Sequence, residues 1–147
     1  MSGLGKRYGM GLQLVNILRD AGSDLRKGRC YFPEEELNTV RMTAADILRE
    51  PDRFRPIFRK WREKAEEALE SGMQYSLAIR SRRVRAATVL PALIGARTLA
   101  LLRDAGTTSL RRDIKVPRKE VRSMISSVAI TLAARSELET MFARYKK

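Results

Sequence analysis

Four residues near the start of the chain carry oxygen donors at helical spacing: Gln13, Asn16, Asp20 and Asp24, within QLVNILRDAGSD. At about 100° per residue they fall, together with Lys27, in a fan of roughly 80° on one side of a helix. Leu14, Val15, Ile17 and Leu18 cover a different sector. A solvated helix face is the ordinary meaning of polar residues at this spacing. Two details point elsewhere. Water-facing positions in the rest of the chain are long Arg, Lys and Glu side chains, as in RKWREKAEE. This stripe instead uses short Asn and Asp, which are poor helix formers. Carboxylates one turn apart also repel, by about 0.2–0.5 kcal/mol. A divalent cation would reverse that repulsion, and an all-oxygen donor set suits Mg2+, which binds through one or two carboxylates and bridges to substrate phosphates. Arg19, Arg26, Lys27 and Arg29 flank the aspartates, and arginine pairs bidentately with phosphate. Carboxylates for magnesium beside guanidinium groups suit a diphosphate. On the residues alone, the solvated face and the metal–diphosphate site both stand.

A helix over about residues 4–26 must position the stripe, with Gly28 marking its end because glycine tolerates the left-handed cap conformation. GRCYFPEEEL reads as a loop leading into a short helical turn, with Pro33 near that turn's start. TAADILRE opens with Thr43 and Asp46 in a capping-box spacing and ends at Pro51. A long helix follows over about 53–79, its buried stripe marked by Phe54, Ile57, Phe58, Trp61, Ala65, Ala68 and Leu69. The next covers about 82–104, with a kink expected at Pro91. DAGTTSLRRDIK reads as a loop, and Pro117 suits the first turn of one last helix over about 118–145. The expected architecture is therefore all-α, an array of four or five helices in a single domain over 1–147.

Composition agrees. The chain has 147 residues, 44% hydrophobic, with only five prolines, and no alternating β-branched run long enough for a sheet. Thirty Lys and Arg against 17 Asp and Glu give a net charge of +13, which favours an anionic partner without choosing among nucleic acid, lipid and phosphorylated substrate. The absence of histidine excludes a Ser-His-Asp triad and His-ligated zinc. One cysteine, Cys30, excludes an internal disulfide framework and fits a reducing cytoplasm. MSGLGKRYGMG lacks the apolar core of a signal peptide, and its glycines lack the strand and spacing of a phosphate-binding loop. AATVLPALIGARTLALL is too interrupted for a membrane span and reads as a buried helix, one suited to lining an apolar cavity. RSRRVR, residues 80–85, reads as a solvated helix start that would also suit a peripheral contact with anionic lipid. Aromatic residues are few and scattered and no groove-reading motif occurs, so nucleic acid is not the expected partner.

The stretch GMGLQLVNILRDAGSDLRKGRCYFP closely resembles the second aspartate-rich signature of the squalene/phytoene synthase family. That signature runs Gln, Asn, Arg-Asp, an Asp four residues on, then Arg-x-Tyr-x-Pro. Gln13, Asn16, Arg19, Asp20, Asp24, Arg29, Tyr31 and Pro33 fill it in order. Tyr8, where the family tends to have an aliphatic residue, and Ala21, where it tends to have a bulkier one, depart from it at packing positions. MQYSLAI, VLPALIGARTLALL and DIKVPRKEV are similar, more weakly, to later parts of squalene synthases, which favours the squalene-type branch.

The resemblance implies an all-α isoprenoid synthase fold and a head-to-head condensation of two prenyl diphosphates, farnesyl diphosphate to presqualene diphosphate or squalene in that branch. It implies Mg2+ as cofactor, with NADPH used where the product is reduced. Asn16, Asp20 and Asp24 would hold magnesium, the two aspartates being the catalytic pair. Gln13, Arg19, Arg29, Tyr31 and Lys115 would meet the substrate, and residues 89–101 would wall its apolar cavity. The family also uses a first aspartate-rich motif that nothing in this sequence replaces. The chain therefore corresponds to a C-terminal half, expected to need an N-terminal half or a second copy and to be inactive alone. A non-catalytic basic helical module that binds nucleic acid or anionic membrane, or an inactive remnant, is the competing expectation.

Overall fold

A computed structural model describes residues 2–131 and 134–147. It is all-α, with no strand among the described residues. Among the described residues six helices follow one another: α1 (Ser2–Arg26), α2 (Glu34–Thr39), α3 (Pro51–Ala78), α4 (Arg82–Ala105), α5 (Arg118–Ile130) and α6 (Arg135–Tyr145). Two short 3-10 turns, Ala44–Asp46 and Gly106–Leu110, connect them.

The core is where α1, α3 and α4 meet. Tyr8, Val15, Leu18 and Ala21 from α1 pack with Phe54, Phe58, Ala65 and Leu69 from α3 and Val89, Leu93, Ala96 and Leu99 from α4. Each set recurs at intervals of three, four or seven residues, so one stripe per helix is removed from water. The α1 and α3 helices run antiparallel. Gly5 lies against Tyr75, and the ring of Tyr8 occupies the space that a side chain at residue 72 would need. Glycine at 72 is thus the counterpart of the unusual tyrosine at 8. The Tyr8 hydroxyl, buried with its ring, donates to the Thr88 carbonyl at 2.6 Å and ties α1 to α4.

Two expectations change. Thr43 and Asp46 do form the capping box, with the Thr43 amide 2.9 Å from the Asp46 carboxylate, but they head only a 3-10 turn. Pro51, which stands at the first position of α3, follows too soon for a helical nucleus to propagate. The helix expected over 118–145 is two helices. The Thr131 hydroxyl donates to the Ser127 carbonyl at 2.9 Å and competes with the backbone ladder at the end of α5. The break lets α6 turn back and bury Leu138 and Tyr145. Splitting that segment and counting α2 raises the number of helices to six. The helix expected over about 82–104 is α4, which runs through Pro91, and most of residues 89–101 is buried as expected, in the interior of the bundle. Only Leu90, Pro91, Ile94, Arg97 and Leu101 of that segment keep substantial exposure. The stretch Arg82–Leu110 is long and apolar enough to cross a membrane, yet half of its most apolar window is buried in the bundle.

Candidate active site

The α1 helix sorts its residues cleanly. Val15, Leu18, Ala21 and Gly22 face the core, while Gln13 and Asn16 are exposed and Asp20 and Asp24 are half-buried. The stripe is therefore real, and it lies on the side of α1 away from α3. Arg19 Nε and Nη2 donate to the two Asp20 carboxylate oxygens at 2.9 and 2.8 Å. That two-pronged contact holds the Asp20 carboxyl below its ordinary range against the opposing effect of partial burial, and the charges of Lys115 and Lys27 add to it. Asp20 is thus kept ionised. A carboxylate has about four lone-pair sites, so with two engaged by Arg19 it retains capacity for a cation.

The end of α1 sets the next residues. Gly28 adopts φ +75°, the Arg29 amide donates to the Asp24 carbonyl at 2.8 Å, and the Gly28 amide donates to the Leu25 carbonyl at 3.0 Å. These are the two bonds of a Schellman cap, so Arg29 is fastened one turn beyond Asp24. From there the chain is extended and alternates. Arg29, Tyr31 and Pro33 are exposed; Cys30 is half-buried, and Phe32 is buried. Phe32 meets Phe54 and Trp61 edge-on, at 4.7 and 4.9 Å between ring centres, pairs worth about 0.5–1.5 kcal/mol each beyond their buried area. The Arg-x-Tyr-x-Pro spacing is the period of an extended strand pinned at its even position. Cys30 fills space beside this anchor.

Lys115 is the residue that only folding brings to the aspartates. The turn Gly106–Leu110 buries Ser109 and Leu110, and the Leu110 backbone rests directly on Gly22. Arg26 Nη1 donates to the Leu110 carbonyl at 2.9 Å. This double fastening brings the loop beyond it across α1, with Lys115 exposed and its charge felt at Asp20. Gly22 and Leu110 went unassigned in the sequence, and Arg26, grouped there with the phosphate-suited cations, instead spends a donor on the Leu110 carbonyl. The one available signal was Gly22, a glycine in a helix interior, which costs about 1 kcal/mol against alanine and so asks for a packing reason.

The donor set Asn16, Asp20 and Asp24 is all oxygen and fits a magnesium ion shared with phosphate. Among the described residues no group of three Asp, Glu, Cys or His is placed to hold a metal. The other acidic clusters are engaged: Glu36 accepts from Trp61 Nε1 at 3.1 Å, and Glu66 pairs with Arg62.

Comparison with known proteins agrees with the motif. The sequence profile of the squalene/phytoene synthase family matches residues 1–120. A 4,4'-diapophytoene synthase of Staphylococcus haemolyticus is 52% identical over 44 residues, 30% of this chain and 15% of that protein. Phytoene synthase 3, chloroplastic, of Zea mays is 50% identical over 40 residues, 27% of this chain and 9% of that protein. A phytoene synthase of Arthrospira platensis is 43% identical over 53 residues, 35% of this chain and 17% of that protein. The aligned stretches span less than a fifth of each of these relatives. The profile match covers most of the chain, and the chain belongs to the squalene/phytoene synthase family.

Proposed function

We propose that this chain supplies one wall of a magnesium–diphosphate site that serves head-to-head condensation of two prenyl diphosphates. The observation that carries the proposal is the convergence of Asp20, Asp24 and Asn16 on one face of α1 with Arg19, Arg29 and Lys115 beside them. Magnesium bound there would neutralise charge that grows on a departing diphosphate. Arg29 binds the phosphate oxygens through its forked donors, Arg19, whose Nε and Nη2 hold Asp20, offers its remaining Nη1 donors, and Lys115 adds a point charge from the facing loop. Negative charge on the leaving group increases toward the transition state, so these fixed cations stabilise that state more than the bound substrate. Tyr31 and Gln13 orient the bound group at the two ends of the stripe. The carboxylates that complete the metal cage come from a second segment or a second copy.

The branch is a separate matter. The later motifs favour a squalene-type reaction with NADPH, whereas the names of the relatives above favour a phytoene-type one. Product analysis of the complete enzyme with farnesyl or geranylgeranyl diphosphate, with and without NADPH, separates the two. For the site, the test is calorimetric binding of farnesyl diphosphate. Binding is expected to require Mg2+ and to be lost in Asp20→Asn and Asp24→Asn. Binding indifferent to both substitutions would sink the assignment.

A further inference from the structure

At one end of the bundle, five helix termini meet. The start of α1 lies beside the end of α3 through the Gly5–Tyr75 contact, and beside the first turns of α4 through the Tyr8–Thr88 hydrogen bond. Arg135 Nε, at the start of α6, donates to the Leu77 carbonyl at 2.8 Å. Ile130, the last residue of α5, lies one turn before α6. The segments that build this end contain no acidic residue: residues 1–19, 71–103 and 121–136 lack Asp and Glu altogether. Glu137, in the first turn of α6, is the nearest carboxylate in sequence.

The cations there are exposed: Lys6, Arg7, Arg80, Arg82, Arg83 and Arg135. None has an ion-pair partner among the described residues. Their placement also runs against local stability. The positive end of a helix dipole favours carboxylates, and α2, α3, α5 and α6 each carry at least one in the first turn. The first turns of α1 and α4 carry none, and α4 opens on Arg82 and Arg83. Among these charges two aliphatic side chains stand out into solvent, Val84 at 50% exposure and Ile130 at 80%.

We propose that this end of the bundle docks on an anionic lipid surface, with Arg80, Arg82 and Arg83 meeting headgroups and Val84 and Ile130 entering the interface. Positive charge concentrated against the helix dipole matches a negative leaflet. The aliphatic pair distinguishes lipid from nucleic acid, which would use aromatic platforms for bases; no phenylalanine or tryptophan occurs in the three acid-free segments, and their two tyrosines, Tyr8 and Tyr75, pack into the bundle. The surface is separate from the stripe at Asp20 and Asp24, which lies toward the other end of α1. The docking therefore goes beyond the proposed condensation and does not depend on it.

The test is co-sedimentation of the purified chain with vesicles of phosphatidylcholine alone or with phosphatidylglycerol added. Binding is expected only to the anionic vesicles, and salt should release it. Arg82→Gln with Arg83→Gln should weaken it about thirtyfold, or about fivefold per charge. Arg55→Gln with Arg59→Gln, an equal charge change near the start of α3, should leave it within about twofold. Val84→Ser with Ile130→Ser should weaken it without changing its salt dependence. Circular dichroism confirms that each variant is folded; all these side chains are exposed. Equal losses in both arginine pairs, equal binding to neutral vesicles, or RNA binding with the same dependence on Arg82 and Arg83 would each overturn the proposal.

Discussion

Gly22 and Leu110 touch backbone to backbone. A methyl group at residue 22 would overlap the Leu110 carbonyl, which Arg26 also holds at 2.9 Å. Through this contact a loop from the far end of α4 is laid across the helix that carries the aspartates.

Gly22→Ala is therefore expected to push the loop off α1. Overpacking of this kind costs about 1–3 kcal/mol, well above the helix propensity that alanine gains. Gly9→Ala, in the same helix with nothing within 4 Å of the added carbon, should instead stabilise by about 0.5–1 kcal/mol. Chemical denaturation of the two variants checks the opposite signs.

Tyr8 makes stability sensitive to alkali. Burial pushes its hydroxyl from 10.0 up to about 12. A raised folded value means the neutral form is favoured in the fold, so this contribution is complete below pH 10 and is lost as pH rises towards 12. The loss amounts to about 2–3 kcal/mol. Tyr8→Phe should cost about 1 kcal/mol near neutrality, for the hydrogen bond to Thr88, and should flatten the alkaline limb. The difference between the two denaturation profiles across pH 8–12 measures it.

Lys115→Gln should separate binding from folding. Its side chain is exposed, so stability should move by less than about 0.5 kcal/mol. Binding of inorganic diphosphate with Mg2+ should weaken about tenfold, the value of one charged hydrogen bond. Unchanged calorimetric binding would remove Lys115 from the site.

Leu138 is fully buried in the first half of α6. Leu138→Ala should cost about 2–5 kcal/mol. Hydrogen exchange should rise first in α6, a short helix that depends on this contact for its docking.

The α1 stripe and the cap at Gly28 were legible in the sequence, whereas the alternation through Arg29, Tyr31 and Pro33 was read there only as a loop. The stripe depends on the local period of a helix, the cap on one residue's backbone freedom. The all-α class and the family were legible too. The end of α5 was not legible, because the pattern over 118–145 stays helical and only the docking of Leu138 and Tyr145 decides where the chain turns. Nor was the role of Tyr8, whose fit depends on an absent side chain at Gly72; the burial of residues 89–101, by contrast, followed from their apolar run.

By itself the sequence determined which side chains share a helix face and what chemistry they are able to do, since spacing along a helix sets direction. The tertiary structure decided which distant residues join them. The charge of Lys115 is felt at Asp20 because Gly22 leaves room for Leu110 and Arg26 fastens it. Such a contact depends on the packing of two backbones, which no local period encodes.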